Sequence, residues 1–289
     1  LLCKHKDAAA SKSYRIEIKQ IMKDILNDII VNKRLEVAQH KQAVPLQTML
    51  GMASDRLDRT PLSMRAALES SAGIIAEFKR KSPSKGWLFP KADAAVVVPS
   101  YEAGGAAACS ILTDHNFFGG SLGDLQKARR ISTLPLLRKD FIIDPYQLFQ
   151  ARVMGADAVL LIAAALTVEK CRQLAETAHS LQLEVLLEVH SAEELDHLND
   201  CIDMLGINNR NLGTFHTDVQ NSFRLAEKLR EHAEKETKAP LLVSESGLSD
   251  AETIIRLREG GFRGFLMGEA FMKTGNPGKA LTRLIQQLS

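Results

Sequence analysis

The sequence predicts a (β/α)8 barrel preceded by an additional N-terminal helical segment, on three observations. From residue 73 onward a short apolar stretch, a few polar residues and a helical-period stretch recur eight times within about 215 residues. No hairpin-type turn separates neighbouring strand candidates, which implies parallel pairing. Polar residues gather at the C-terminal ends of those strands, the rim where barrel enzymes keep their chemistry. With 289 residues the chain has room for one such domain, which takes ~250. A doubly wound open sheet is the rival, but no G-x-G-x-x-G follows the first strand candidate.

Residues 1–21 lack helical periodicity and the apolar core of a secretory signal, and are expected to be disordered or foreign to the native chain. The domain is taken as 22–289. From Met22 to Gln39, Ile25, Ile29, Ile30, Leu35 and Val37 recur among charges and predict an amphipathic helix. Residues 42–70 read as a connector and one further short helix opened by Pro61. Strands are predicted at Ile74–Lys79, Ala107–Thr113, Leu134–Asp140, Ala158–Ala163, Glu184–Val189, Met204–Asn208, Leu241–Ser246 and Gly264–Met267. Helices are predicted at Leu122–Arg130, Pro145–Met154, Val168–Ser180, Ala192–Leu198, Val219–Leu229 and Asp250–Glu259. Small residues before several strands, Gly104-Gly105, Gly155-Ala156 and Gly260-Gly261, mark helix ends.

Composition narrows the function. A net charge of +2 is too mild to imply nucleic acid or a membrane surface as partner. No apolar run reaches the ~18 residues of a membrane span. The four cysteines are far apart without C-x-x-C spacing, which suits free, buried thiols in a reducing cytoplasm. His115 and His190 are single histidines near rim loops with no second histidine at metal-ligand spacing, so no metal is expected.

The chemistry is read from the strand ends. A strand buried on both faces should be apolar throughout, and charges placed inside it cost several kcal/mol unless paired or used. Yet the first strand ends in Glu77 and Lys79, two apart and so on one face, while Ile74, Ala76 and Phe78 take the face toward the helices. The third ends in Lys139, the fifth in Glu188, the sixth in Asn208 and Arg210, the seventh in Glu245 and Ser246, and the eighth in Gly268 and Glu269. Side chains of these types converging on one mouth can run acid–base chemistry. The loop Ser82-Pro83-Ser84-Lys85-Gly86 and the glycines after the last two strands suit an anion, since barrels often seat phosphate on those loops. Trp87, just beyond the first loop, reads either as lid or core packing or as a platform for an aromatic substrate.

These stretches resemble the indole-3-glycerol phosphate synthase family. I-I-A-E-F-K-R-K-S-P-S-K-G is similar to its first-strand signature, and L-L-R-K-D-F-I-I-D-P-Y-Q, L-E-V-H, G-I-N-N-R-N-L, S-E-S-G-L and L-M-G-E-A-F-M to its later strands in order. The resemblance covers about residue 25 to 288; Phe78 and Arg138 are mild departures from the family pattern. It implies conversion of 1-(2-carboxyphenylamino)-1-deoxyribulose 5-phosphate to indole-3-glycerol phosphate with release of CO₂ and water. It further implies catalytic roles for Glu77, Lys79, Lys139, Glu188, Asn208 and Ser246, and substrate contacts at Arg210, Glu245 and Phe141. Phosphate contacts would fall at Ser82, Gly247, Gly268 and Glu269, the last two through backbone N–H groups. Lys139 and Lys79 are both candidates for the acid of ring closure, a task that suits a lysine of lowered pKa. No cofactor is implied, the partner is a small phosphorylated substrate, and a monomer or weak homo-oligomer is expected. The nearest rival, an isomerase acting on phosphoribosyl anthranilate, resembles a Cys/Asp acid–base pair instead; a non-catalytic phosphosugar-binding barrel would show degenerate motifs.

Overall fold

A computed structural model describes residues 25–211, 216–232 and 239–288; the expectations for residues 1–21 and for a helix start at Met22 lie outside them. Eight parallel strands close into a barrel: β1 Ile74–Phe78, β2 Ala108–Leu112, β3 Leu136–Lys139, β4 Ala158–Ile162, β5 Glu184–Val189, β6 Met204–Asn208, β7 Leu241–Glu245 and β8 Gly264–Met267. Closure runs through β1, which pairs β8 at Ile74↔Phe265 and β2 at Ile75↔Ala108. The strands carry two apolar faces, as a parallel barrel requires. Ile74, Ala76 and Phe78 pack outward with Val97 and Val98, whereas Ile75 packs inward with Leu137, Leu160 and Leu266.

The N-terminal segment spans the barrel from one end to the other. The helix over residues 25–43, α1, reaches the C-terminal rim, where its Lys33 meets Asp114 after β2 and Asp140 after β3. Helix α2, Leu46–Ser54, lies along α6, Pro145–Met154. Helix α3, Met64–Glu69, plugs the opposite end, with Met64 and Leu68 inside the barrel-interior cluster. Sequence reading took the stretch that forms α2 as connector and opened the following short helix at Pro61. In fact Ser63 caps α3, accepting a hydrogen bond from the Ala66 N–H, and Pro61 stays outside. Below the barrel, Asp157 holds the floor, accepting from the Leu62 and Leu136 N–H groups and pairing with Arg59 and Arg129.

The remaining helices alternate with strands: α4 Ala94–Ala103, α5 Leu122–Ile131, α7 Val168–Ser180, α8 Gln220–His232, α9 Ala251–Glu259, the short α10 Glu269–Met272 and α11 Pro277–Leu288. The helix expected at Ala192–Leu198 is instead a 3₁₀ segment, Ala192–His197, too short to hold α-helical bonding. Gly104, Gly155 and Gly260 do end helices, Gly155 in the left-handed conformation at φ 90°. No helix among the described residues is long and apolar enough to cross a membrane, and none of their His, Cys, Asp and Glu side chains cluster as a metal site. Cys109 and Cys171 are free and buried.

Candidate active site

A cavity of about 540 Å³ opens at the C-terminal ends of the strands, and every residue named above for catalysis, substrate or phosphate lines it. At its base Lys139 projects from β3 between two carboxylates, with Nζ 2.9 Å from Glu188 of β5 and 3.3 Å from Glu245 of β7. Asn208 of β6 donates its side-chain amide to Glu188 at 3.0 Å. A second pair joins Glu77 of β1 to Lys79 just beyond its end, 2.5 Å apart. The strands deliver these groups because alternate positions near each C-terminal end face inward, so residues far apart in sequence meet on one ring.

The charges are unequal. One ammonium, Lys139, serves two buried carboxyls. Burial works against its charge, but the attraction of Glu188, Glu245 and Glu77 wins and holds its pKa above the usual lysine value. The expectation of a lysine with lowered pKa is therefore corrected: this lysine is kept charged by the carboxylates around it. Burial also disfavours ionised Glu188, yet Lys139 and His190 pull its pKa well below the ordinary range. Glu245 is the surplus carboxyl. Burial, reinforced by the Glu188 charge, pushes it up to about 7 against the pull of Lys139. Its Oε1 has no hydrogen-bond partner among the described residues, consistent with a group that keeps its proton near neutrality. Two carboxyls with pKa values driven apart is a pattern that separates proton donor from proton acceptor.

His190 is the residue sequence reading undervalued. It sits buried just past β5, with its Nε2 3.2 Å from Glu188 and its Nδ1 3.4 Å from Glu194. Burial lowers its basicity, but the two carboxylates outweigh that and raise it to about 9. The alternation in L-E-V-H did carry a signal, since it puts Glu188 and His190 on one face.

Glu245 owes its position to Gly206 on the adjacent strand. A β-carbon at Gly206 would lie 2.1 Å from Glu245 Oε1. Gly206→Ala should therefore swing the carboxyl off Lys139. Because only the end of a flexible side chain must move, kcat should fall by ~10-fold or more while the unfolding free energy changes by about 1 kcal/mol. Steady-state kinetics beside thermal unfolding would check this, and unchanged kcat would contradict it.

At one side of the cavity polar groups gather without a carboxylate free to repel an anion. Ser82 and Ser84 come from the loop after β1 and Gly247 from the turn after β7, where Ser246 and Gly247 both have positive φ, 65° and 75°. Such backbone is costly for serine and is typical of functional turns. Arg210 bridges the cradle, donating to Ser84 at 2.9 Å and to Glu269 at 3.3 Å. Glu269 thus turns its Oε2 toward Arg210. Lys85 and Lys273 also line this cavity.

The other wall is apolar: Leu112, Phe118, Phe141, Leu160 and Ile162 with Ile25, Leu26 and Ile29 of α1. The part played by α1 was not foreseen. Phe118 and Phe141 lie with ring centroids 6.1 Å apart. Trp87 lines none of the cavity; it is 57% exposed, with the Lys81 ammonium 5.7 Å from its ring centre. His115 approaches the Gly120 carbonyl at 3.4 Å and also stays outside.

A lysine–glutamate cluster between an aromatic wall and an anion cradle, at the mouth of a closed β/α barrel, defines an acid–base barrel enzyme for a small substrate with an apolar end and an anionic one. Comparison with known proteins gives the particular case. A family model described as indole-3-glycerol phosphate synthase matches residues 26–284, and the chain belongs to that family. Similar curated proteins bear the same name. One from Bacteroides thetaiotaomicron is 58% identical over 92% of this chain and 100% of its own length. Another, from Burkholderia ambifaria, is 43% identical over 91% of this chain and 99% of its own. Among solved structures, a mutant tryptophan synthase alpha-subunit from Pyrococcus furiosus has a TM-score of 0.56 at 14% identity, covering 75% of this chain and 98% of its own. That likeness is one of fold. The activity is that of an indole-3-glycerol phosphate synthase, a carboxy-lyase of tryptophan biosynthesis whose substrate is 1-(2-carboxyphenylamino)-1-deoxyribulose 5-phosphate.

Proposed function

We propose that in this reaction Lys139 is the acid of ring closure and Glu188 the base of dehydration. The observation that carries the assignment is the single ammonium held between Glu188 and Glu245 inside the cavity. The aromatic carbon bearing the carboxylate attacks the keto carbon, and the Lys139 ammonium gives its proton to the oxygen as charge develops there. Loss of CO₂ returns the bonding pair to the ring. With Lys139 recharged, Glu188 then removes a proton from the methylene carbon beside the nitrogen of the ring-closed intermediate, and the hydroxyl departs as water with a proton from the Lys139 ammonium, giving the indole. Glu245, 3.3 Å from Lys139 and pushed up to about 7, is suited to return a proton to Lys139 between ring closure and dehydration, and is itself reprotonated from solvent between turnovers.

Lys79, ion-paired to Glu77 of β1, is assigned to the substrate carboxylate before it leaves. Asn208 and Ser246 orient the amine and sugar hydroxyls. Arg210 shapes the cradle in which Ser82 and the backbone N–H groups of Gly247, Gly268 and Glu269 take the phosphate, while Phe141 and Phe118 receive the ring. The buried thiols of Cys109 and Cys171 suit a cytoplasmic setting.

Lys79→Met tests the division of labour between the lysines. Losing an anchor for the substrate carboxylate should raise KM by ~10-fold or more while ring closure through Lys139 persists, followed by indole fluorescence. A collapse of kcat with KM unchanged would hand the acid role to Lys79.

A further inference from the structure

The one lysine among the described residues buried without any exposure, Lys33, lies outside the machinery just described, and it belongs to α1. Its Nζ contacts three carboxylates, at 3.0 Å from Glu36 of the same helix, 3.0 Å from Asp114 and 2.8 Å from Asp140. The two aspartates stand at the rim ends of neighbouring strands, and each caps a loop that carries part of the aromatic wall. Asp114 accepts from the Phe117 N–H at 2.8 Å, next to Phe118. Asp140, the residue after Lys139, accepts from the Phe141 N–H at 2.8 Å. Asp140 is itself fixed by Thr113 at 2.6 Å and by buried Arg138 at 3.0 Å. One turn before Lys33 on the same helix, Ile29 faces the cavity.

We infer that Lys33 is a positioning residue for the reaction: its ammonium clasps α1 to the ends of β2 and β3 and thereby sets the apolar wall against which the carboxyphenyl ring of the substrate lies. The inference rests on the proposed seating of the ring on Phe118 and Phe141. The charge balance explains why the clasp is specific. Two buried cations, Lys33 and Arg138, meet two buried aspartates. Arg138 reaches only Asp140, so Asp114 Oδ2 has Lys33 as its one charged contact among the described residues. Removing the ammonium leaves a buried carboxylate uncompensated, which proteins do not tolerate without rearrangement. The nearest rearrangement opens the loop that holds Phe118 and releases Ile29 with the helix.

The anion cradle is built from the loops after β1, β7 and β8; its β1 loop meets the Phe118 loop through the Lys81 N–H, which donates to the Phe118 carbonyl at 3.2 Å, but Arg210, Ser84 and Glu269 bond one another rather than Lys33 or its aspartates, so the two ends of the substrate should respond differently. In Lys33→Met, KM for the full substrate should rise by ~10-fold or more, kcat should stay within about threefold, and competitive inhibition by inorganic phosphate should be unchanged. The charge-balanced Lys33→Met/Asp114→Asn variant covers the case in which the single variant fails to fold. It should regain a normal unfolding midpoint and keep the raised KM, because neutrality is restored but the clasp is not. Wild-type KM in that folded double variant overturns the inference. So does weakened phosphate inhibition in step with KM, which would mean general loosening. Phe141→Ala separates this from the reading beneath it: a raised KM there supports the ring wall whatever Lys33 does, and an unchanged KM removes the wall itself.

Discussion

Lys139→Ala is expected to lower kcat by about three orders of magnitude or more while leaving substrate affinity within about tenfold. The ammonium is held in the cavity between two carboxylates, and its charge is secured in advance by Glu188, Glu245 and Glu77 against the cost of burial. In the proposed mechanism it is a preorganised positive charge where an oxyanion develops, which is worth more in a dry site than in water. Ground-state affinity depends mainly on the ring wall and the anion cradle, and neither is built from Lys139. The variant will also lose stability. The folded pKa lies above the ordinary 10.5, so the raised basicity of Lys139 contributes stability that is lost as pH rises from 10.5 through the folded value, and at the acid end the pairing ends as the carboxylates take up protons, Glu245 first. Without the ammonium, Glu188 and Glu245 face each other unscreened, and the cheaper outcome is that one keeps a proton at neutral pH. Assay by indole fluorescence, with direct calorimetric binding of the substrate to the inactive variant, decides the matter. Activity surviving above a few per cent would remove Lys139 from the proton transfer.

The strands were legible because a closed parallel barrel leaves them no wet face, so apolar runs such as Glu184–Val189 and Met204–Asn208 match their observed limits. Where the reading overran, at Lys79, Asp140 and Ser246, the chain leaves the ladder one residue early to turn a polar group toward the mouth. Helix α4 was not foreseen. Val96, Val97, Val98 and Pro99 look like a strand and its breaker, yet burying Ala94, Val97, Val98 and Tyr101 against the barrel holds them helical. Helix α2 begins at Pro45 with no capping side chain, which left nothing to read. For the site, residue types and rim positions could be read, because inward polar groups on buried strands need a reason. Their pairing could not. That Lys139 touches Glu188 and Glu245 depends on the register of closure, and with that pairing goes the sign of the lysine's pKa shift. The clasp of Lys33 was hidden for the same reason: in sequence it is one charge on an amphipathic helix, and only the rim around it makes it buried.

Glu188→Gln should separate the steps of the reaction that Lys139→Ala stops together. The amide keeps the shape and still bonds Asn208 but cannot take a proton, so dehydration should slow by ~10²–10⁴-fold. Ring closure and decarboxylation precede that step. Mixing this variant with substrate should therefore release CO₂ well ahead of indole fluorescence, whereas the wild type yields both at one rate. Simultaneous slowing of both signals would place Glu188 in the earlier chemistry. The pH dependence supplies an independent check with a definite sign. In the native protein Glu245 is pushed up to about 7, by burial first and the Glu188 charge in addition, so the free enzyme should show an inflection near there. Neutralising Glu188 removes that repulsion and leaves Lys139 to Glu245 alone, which favours the ionised form and moves the inflection to lower pH. Stability follows the same shift. The raised pKa of Glu245 contributes stability fully present below its ordinary 4.5 and lost as pH rises through about 7, and in Glu188→Gln that loss shrinks. Selective titration of Glu245 by carbon-detected NMR in both proteins would read the displacement directly. A shift to higher pH, or none, would mean that the two carboxyls do not share the one ammonium.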